Sequence, residues 1–260
     1  MSFFAAIRFL TIFPAPSSKK DVPLMIGRSI PFFPVVGLLI GAILAGLYFV
    51  LHIVLPLPVV SALLVACLAV ITGAHHLDGL IDTCDAMVAG KTREQRLDIM
   101  SDTRVGAFGI TGVCLLLIIK YSAVLSTIGL APLIIFPVIS RWALGGVILI
   151  FPSARNGGMG FAARSSASWP GFIFATAIAL LINILFAGLI AGPALMTAEF
   201  GIIWCLGLCL SRLYGGLTGD CYGALVEIGE ALALLLIIAL VPLVQHVPGY
   251  DLFKIPMPAG

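Results

Sequence analysis

Charge is scarce in this chain. Of 260 residues only 14 are Lys or Arg and 12 are Asp or Glu, 10% in all against 61% hydrophobic. Soluble domains carry about 25% charged residues, so that class is excluded before any motif is read. A basic stripe is also lacking. The net charge is +2 with Lys and Arg spread over loops, so no nucleic-acid partner is expected. The six cysteines lack metal spacing: Cys205 and Cys209 lie four apart in an apolar stretch, and Cys84 stands between aspartates. They read as small apolar residues. No period-2 alternation is present, which excludes a transmembrane barrel. There is no fixed repeat, low-complexity tract or long linker, so residues 1–260 are expected to form one domain. The apolar run Phe9–Phe13 is short and ends in Pro14-Ala15-Pro16 without a cleavage site, unlike a signal peptide. Phe3, Phe4, Phe9 and Phe13 are expected at a lipid boundary.

What the chain does have is apolar length. Seven stretches could cross about 30 Å of hydrocarbon: 31–55, 57–74, 107–128, 131–150, 169–191, 195–214 and 230–247. Backbone groups in lipid need partners within their own segment, so the expected fold is all-α, a polytopic membrane bundle of about seven helices. Arg8, Lys19, Lys20 and Arg28 precede the first stretch, and Lys91, Arg93, Arg96 and Arg104 follow the second. Arg155 and Arg164 follow the fourth, and Arg212 ends the sixth. All fall on one side, expected to be cytoplasmic, with Asp251 and Lys254 on the other. The segment 75–105, the loop 152–168 and the stretch Gly215–Gly229 then share the cytoplasmic side.

The acids are not spread evenly. Five aspartates lie between His75 and Arg104, and Asp78, Asp82 and Asp85 fall at i, i+4 and i+7. That spacing gathers three carboxylates within about 60° of one helix face, and Asp98 with Asp102 repeats the i, i+4 pairing. Facing lipid, three aspartates would cost about 8–10 kcal/mol, so they must line a polar cavity. A divalent ion with oxygen ligands, Mg²⁺, is the natural neutraliser. The basic turn Lys91–Arg96 joins the two acidic faces, and carboxylates with Mg²⁺ beside Lys or Arg suit phosphoryl transfer. A solvated loop obeying topology is the plainer alternative.

His75 and His76 point about 100° apart on a helix and form no metal pair; His76 is a candidate base or hydrogen-bonding group. His52 and His246 read as interface residues. A second polar island, Gly215–Glu230, places Asp220, Glu227 and Glu230 at i, i+7 and i+10 with Gly223 and Ala224 between them. It suits a shared ligand cavity or a capped helix start. Arg141, mid-span, is a candidate phosphate ligand or a buried ion-pair partner. Lys120 and Glu199 could pair or snorkel. The loop through Gly158 and Gly160 could wrap a phosphate.

Two runs carry a resemblance. His76-Leu-Asp78-Gly-Leu-Ile-Asp82-Thr-Cys-Asp85 and Arg93 to Gly109, containing Asp102-Thr-Arg104-Val-Gly106-Ala-Phe-Gly109, resemble the cobalamin synthase family, the adenosylcobinamide-GDP ribazoletransferases. Arg8–Pro14, Phe33–Gly37, Ser140–Trp142, Arg155–Gly160 and Leu217–Glu227 fall in the same order. The resemblance implies a Mg²⁺-dependent enzyme of a bacterial inner membrane, with its active site cytoplasmic. Such an enzyme joins adenosylcobinamide-GDP to α-ribazole or its 5′-phosphate and releases GMP, and it could associate with other enzymes of cobalamin assembly. It implies metal ligation by Asp78, Asp82, Asp85 and Asp102, catalysis by His76 and Asp82, and substrate contacts from Arg104, Arg141, Asp220 and Glu227. Lys91, Gly158 and Gly160 join that list from the basic turn and the glycine loop. Asp98 stands where the family often has Glu, and His75, Cys84 and Ala86 depart from its usual residues. A CDP-alcohol-type phosphotransferase and a cation-coupled transporter are the competing readings.

Overall fold

In the computed structural model, residues 2–16, 26–127 and 129–244 are described, side chains through residue 240. Lys19, Lys20, His246, Asp251 and Lys254, which entered the expectations above, lie outside them. The helices are α1 (Ser2–Leu10), a 3₁₀ turn (Gly27–Phe32) running into α2 (Phe33–Leu51), α3 (Leu57–Ile71), α4 (His75–Ala89), α5 (Arg93–Ile99) and α6 (Ala107–Thr127). They continue as α7 (Leu130–Ile150), α8 (Gly158–Ser166), α9 (Trp169–Ala187), α10 (Ala191–Tyr214) and α11 (Gly219–Val244). Among the described residues there is no strand, only an isolated bridge between Ser153 and Leu217.

Six helices are each long and apolar enough to cross a membrane, and α3 with α4 meets the test only as a pair bent by 88°. Counted as one span, that pair makes seven, in line with the expected bundle of about seven helices. The start of α6 is tied to α4 by the Gly106 N–H, the end of α7 to the start of α11 by the Ala154 N–H to Leu217, and the 3₁₀ turn to α8 by the Gly27 N–H to Ser166.

The helix α7 is the axis of the bundle, buried along nearly its whole length. α2 lies against it because Gly37 and Gly41 have no side chain: a Cβ on Gly37 would stand 2.5 Å from the Pro137 carbonyl oxygen, and one on Gly41 2.7 Å from the Ile134 Cα. Small residues at crossings are how helices gain packing where lipid gives no hydrophobic drive. At the amino end, Phe3 packs edge-on against Phe32 and Phe9 stacks on Phe33, whereas Phe4 and Phe13 stay exposed. His52 is exposed, as expected of an interface residue.

Two boundaries differ from the sequence reading. The last span begins at Gly219 rather than at 230, so Gly219–Gly229 forms about the first three turns of α11. Glu227 and Glu230 are accommodated in the helix because cations from α6 and α7 reach them. Asp98 and Asp102 do not share a helix face either: α5 ends at Ile99, and Asp102 lies in the turn beyond it.

Candidate active site

Gly73 and Ala74 set the site's geometry. Both adopt left-handed backbone, φ 64° and 55°, and two such residues in succession turn the chain sharply from the apolar α3 into the polar α4. The cost at Ala74 is about 1–2 kcal/mol. α4 then packs on α11 at two glycines. A Cβ on Gly79 would lie 2.7 Å from the Asp220 carbonyl oxygen, and one on Gly223 3.1 Å from the Cα of His76. That closeness brings the acid of α11 beside those of α4.

The acids of α4 do not share one fate. Asp78 is exposed and Asp82 half-buried, and the charges acting on Asp82 are those of Asp78, Asp220 and Asp85, all negative. Asp85 is buried and committed elsewhere: its two carboxylate oxygens accept from Gly106 N–H at 2.7 Å and Gly109 N–H at 2.8 Å. It caps α6 from a neighbouring helix, with its charge at the positive end of that dipole. This contact explains both glycines, since a Cβ at either position would lie within 2.4–2.5 Å of the Asp85 carboxylate. Asp102 accepts from the Arg104 side chain at 2.6 Å, and these hydrogen bonds hold its carboxyl below the usual carboxylate range.

Asp220 occupies the first turn of α11. Thr218 caps that helix, accepting from the Cys221 N–H at 3.2 Å, and its hydroxyl lies 3.3 Å from the Asp220 carboxylate. No ion pair to Asp78, Asp82 or Asp220 occurs among the described residues.

A cavity of about 330 Å³ opens between α1, α4, α7, α8 and α11. Of the residues expected at the site, His76, Asp78, Gly160 and Asp220 line it; Arg8, Phe9 and Tyr222 also line it, though composition and spacing singled none of them out as a site residue. Tyr222 gave no signal beyond following Asp220 by two. Lys91 and Gly158 are exposed outside the cavity, and a Cβ on Gly158 would meet nothing. The loop before α8 is held by Arg155, which donates to the Leu97 carbonyl at 2.6 Å and to Ser101 at 2.8 Å. Arg93 similarly donates to the Tyr214 and Ala154 carbonyls at 2.9 and 3.0 Å. Much of the basic turn is therefore used to clamp the polar face together.

Arg141 and Glu227 do not reach this cavity. Lys120 of α6 pairs with Glu227 and Glu230 of α11, and Arg141 of α7 pairs with Glu230. Arg141 and Glu230 are 0% exposed, and Lys120 and Glu227 2%. Of the two roles open to Arg141, the structure shows the buried ion pair. The expected Lys120–Glu199 pair is not formed, because Glu227 and Glu230 lie nearer on the helix packed against α6. Glu199 is fully buried beside Gly229, with neither carboxylate oxygen hydrogen-bonded. The unused signal was Lys120 itself, a cation in a span that required buried anions.

Among the described residues, no three His, Cys, Asp or Glu side chains converge tightly enough to hold a metal by themselves. Of the four aspartates expected to ligate a metal, Asp85 here accepts from the Gly106 and Gly109 N–H groups and Asp102 from Arg104, which leaves Asp78 and Asp82 without such partners. Mg²⁺, however, is commonly bound by one or two carboxylates together with substrate phosphates. Asp78, Asp82 and Asp220, oxygen donors without a protein cation, fit such a shared ion.

The chain matches the cobalamin-5-phosphate synthase family over residues 2–238. Similar relatives are the adenosylcobinamide-GDP ribazoletransferases of Geotalea daltonii, 37% identical over 92% of this chain and 97% of that protein, and of Roseiflexus sp., 38% identical over 88% and 86%. That of Pseudomonas fluorescens is 38% identical over 88% of this chain and 96% of its own length. No solved structure matches.

Proposed function

The chain belongs to the cobalamin-5-phosphate synthase family, and from that membership and the acid-lined cavity we propose that it joins adenosylcobinamide-GDP to α-ribazole, or to its 5′-phosphate, with release of GMP. The observation that carries this reading is the set Asp78, Asp82 and Asp220: three carboxylates from two helices, two of them lining a cavity that also holds Arg8 and His76. Like charges left without a protein cation call for a cationic guest, and a diphosphate supplies the rest of its coordination.

In this reading Asp78, Asp82 and Asp220 hold Mg²⁺, which when bound supplies neutralisation of the diphosphate oxygens. Arg8 takes negative charge on the far side of the cavity. His76, which lines the cavity, accepts the proton of the attacking hydroxyl. Because the 5′-phosphate acceptor has its 5′ oxygen occupied, the nucleophile common to both acceptors is a secondary ribose hydroxyl. Its oxygen bonds to the phosphorus on the corrinoid side, and the bond from that phosphorus to the GMP oxygen breaks. Asp85 takes no proton; it fixes the start of α6 beside α4 and so holds the acidic face in place.

We assign this chemistry to the cytoplasmic face of a bacterial inner membrane, following the one-sided Lys and Arg. The test is nucleotide release by the purified chain in detergent, with each acceptor, with and without Mg²⁺. GMP formed only with Mg²⁺ is expected. Release of CMP from a CDP-alcohol, or solute movement without a covalent product, would replace this reading with a lipid synthase or a transporter.

A further inference from the structure

Three acids and two cations are sealed inside the bundle, so full ionisation would leave one negative charge over. Lys120 and Arg141 are taken up by Glu227 and Glu230. Glu199 is the acid in excess. It is 0% exposed, forms no ion pair among the described residues, and neither of its oxygens has a hydrogen-bond partner.

Packing from two other helices fixes where that carboxyl lies. Glu199 and Phe200 of α10 face the stretch Ser140–Trp142 of α7, with the Trp142 and Phe200 ring centroids 5.2 Å apart. On α11, Gly229 leaves the room: a Cβ there would stand 3.1 Å from Glu199 Oε1 and 3.3 Å from Ser140 Cβ. Arg141 donates to Ser140 Oγ at 3.0 Å through Nη1, the same nitrogen that meets Glu230. Its Nε and Nη2 have no partner. They do not alter the count, because the single charge of Arg141 is already shared with Glu230.

The other neighbours supply no further cation. The helix α9 has no titratable side chain. Arg93 and Arg96 of α5 meet α10 at its opposite end, on the Tyr214 and Leu213 carbonyls. From α11 the facing group is Glu230, with Glu227 and Lys120 beyond it. A carboxylate shut away from water without a counterion is far costlier than the same group in its neutral form.

We propose that Glu199 is a proton-binding site sealed in the bundle, and that its bound proton is what lets α10 close against α7 and α11. The fold is thereby made sensitive to pH at one residue. The proposal stands apart from the transferase reading, since it uses neither the cavity nor a substrate.

The sign follows from counting protons. Unfolded, Glu199 ionises in the ordinary glutamate range; folded, it keeps its proton, so the folded chain binds one more and loses stability as pH rises above that range. Glu199→Gln mimics the neutral acid and removes this dependence. In detergent, the thermal midpoint of the unaltered chain is expected to fall behind that of the variant by about 3–5 °C per pH unit. The infrared carbonyl band of an un-ionised carboxyl is expected at neutral pH in the unaltered chain and is expected to weaken in the variant. Midpoints that run parallel with pH, or a band untouched by the substitution, overturn the proposal. Glu199→Met, also neutral, takes the place of the amide if that variant does not fold, and absence of the band from the unaltered chain overturns the proposal without any variant.

Discussion

The helix α11 carries one acid at the cavity mouth and two inside the bundle, and they are treated in opposite ways. Glu227 and Glu230 are met by Lys120 and Arg141 and sealed from solvent. Asp220, two turns earlier on α11, forms no ion pair among the described residues, nor do Asp78 and Asp82 across from it. The difference is one of solvent. In the interior an unpaired charge costs several kcal/mol, and for Glu227 and Glu230 the protein supplies the counterions itself. At the mouth water tolerates the charge, and the vacancy for a counterion is left to a ligand. Carboxylates that a protein does not neutralise are where function is sought; those it does neutralise hold the helices in register.

The contrast breaks most sharply by substitution. Glu230→Ala leaves Lys120 and Arg141 buried without their shared partner and is expected to cost about 3–5 kcal/mol, read as a lower midpoint of thermal unfolding in detergent. Asp82→Ala should do the reverse: turnover abolished, with the unfolding midpoint and membrane insertion unchanged. Equal effects on both readouts in both variants would erase the distinction drawn here.

Chelation sharpens it further. Removing divalent ions should stop GMP release without shifting the unfolding midpoint, and Mg²⁺ should restore it. Asp85→Asn belongs between the two classes. It weakens the capping of α6 and is expected to cost about 1–2 kcal/mol, with activity falling only as far as the start of α6 shifts. The smallest effect is expected from Arg104→Ala. The Arg104 side chain is 87% exposed, so unfolding should be unaltered, and any change should be confined to the KM for adenosylcobinamide-GDP.

The helices and the acidic face of α4 were legible in the sequence because they are local: apolar length and an i, i+4, i+7 pattern need no knowledge of the rest of the chain. The fate of individual acids was not legible, because it depends on distant partners. Lys120 and Glu227 are 107 residues apart, and nothing near either one names the other. Asp85 was read with Asp78 and Asp82 from their common face, but its position one turn further along brings it to Gly106 and Gly109 instead. The polar island of α11 was read as a shared cavity or a capped helix start; Thr218 does cap that start, but the burial of its glutamates against Lys120 and Arg141 had no local sign. Arg155 and Arg93 carried the correct topological charge, while their donation to backbone carbonyls required the folded arrangement.

Arg8 and Tyr222 come from the first and last described helices, and they face one pocket. A ribosome must therefore deliver α11 as well as α1 before that pocket is complete. Chains that stop short of α11 would keep most of their apolar segments but lack Asp220 and Tyr222, and with them one wall of the pocket.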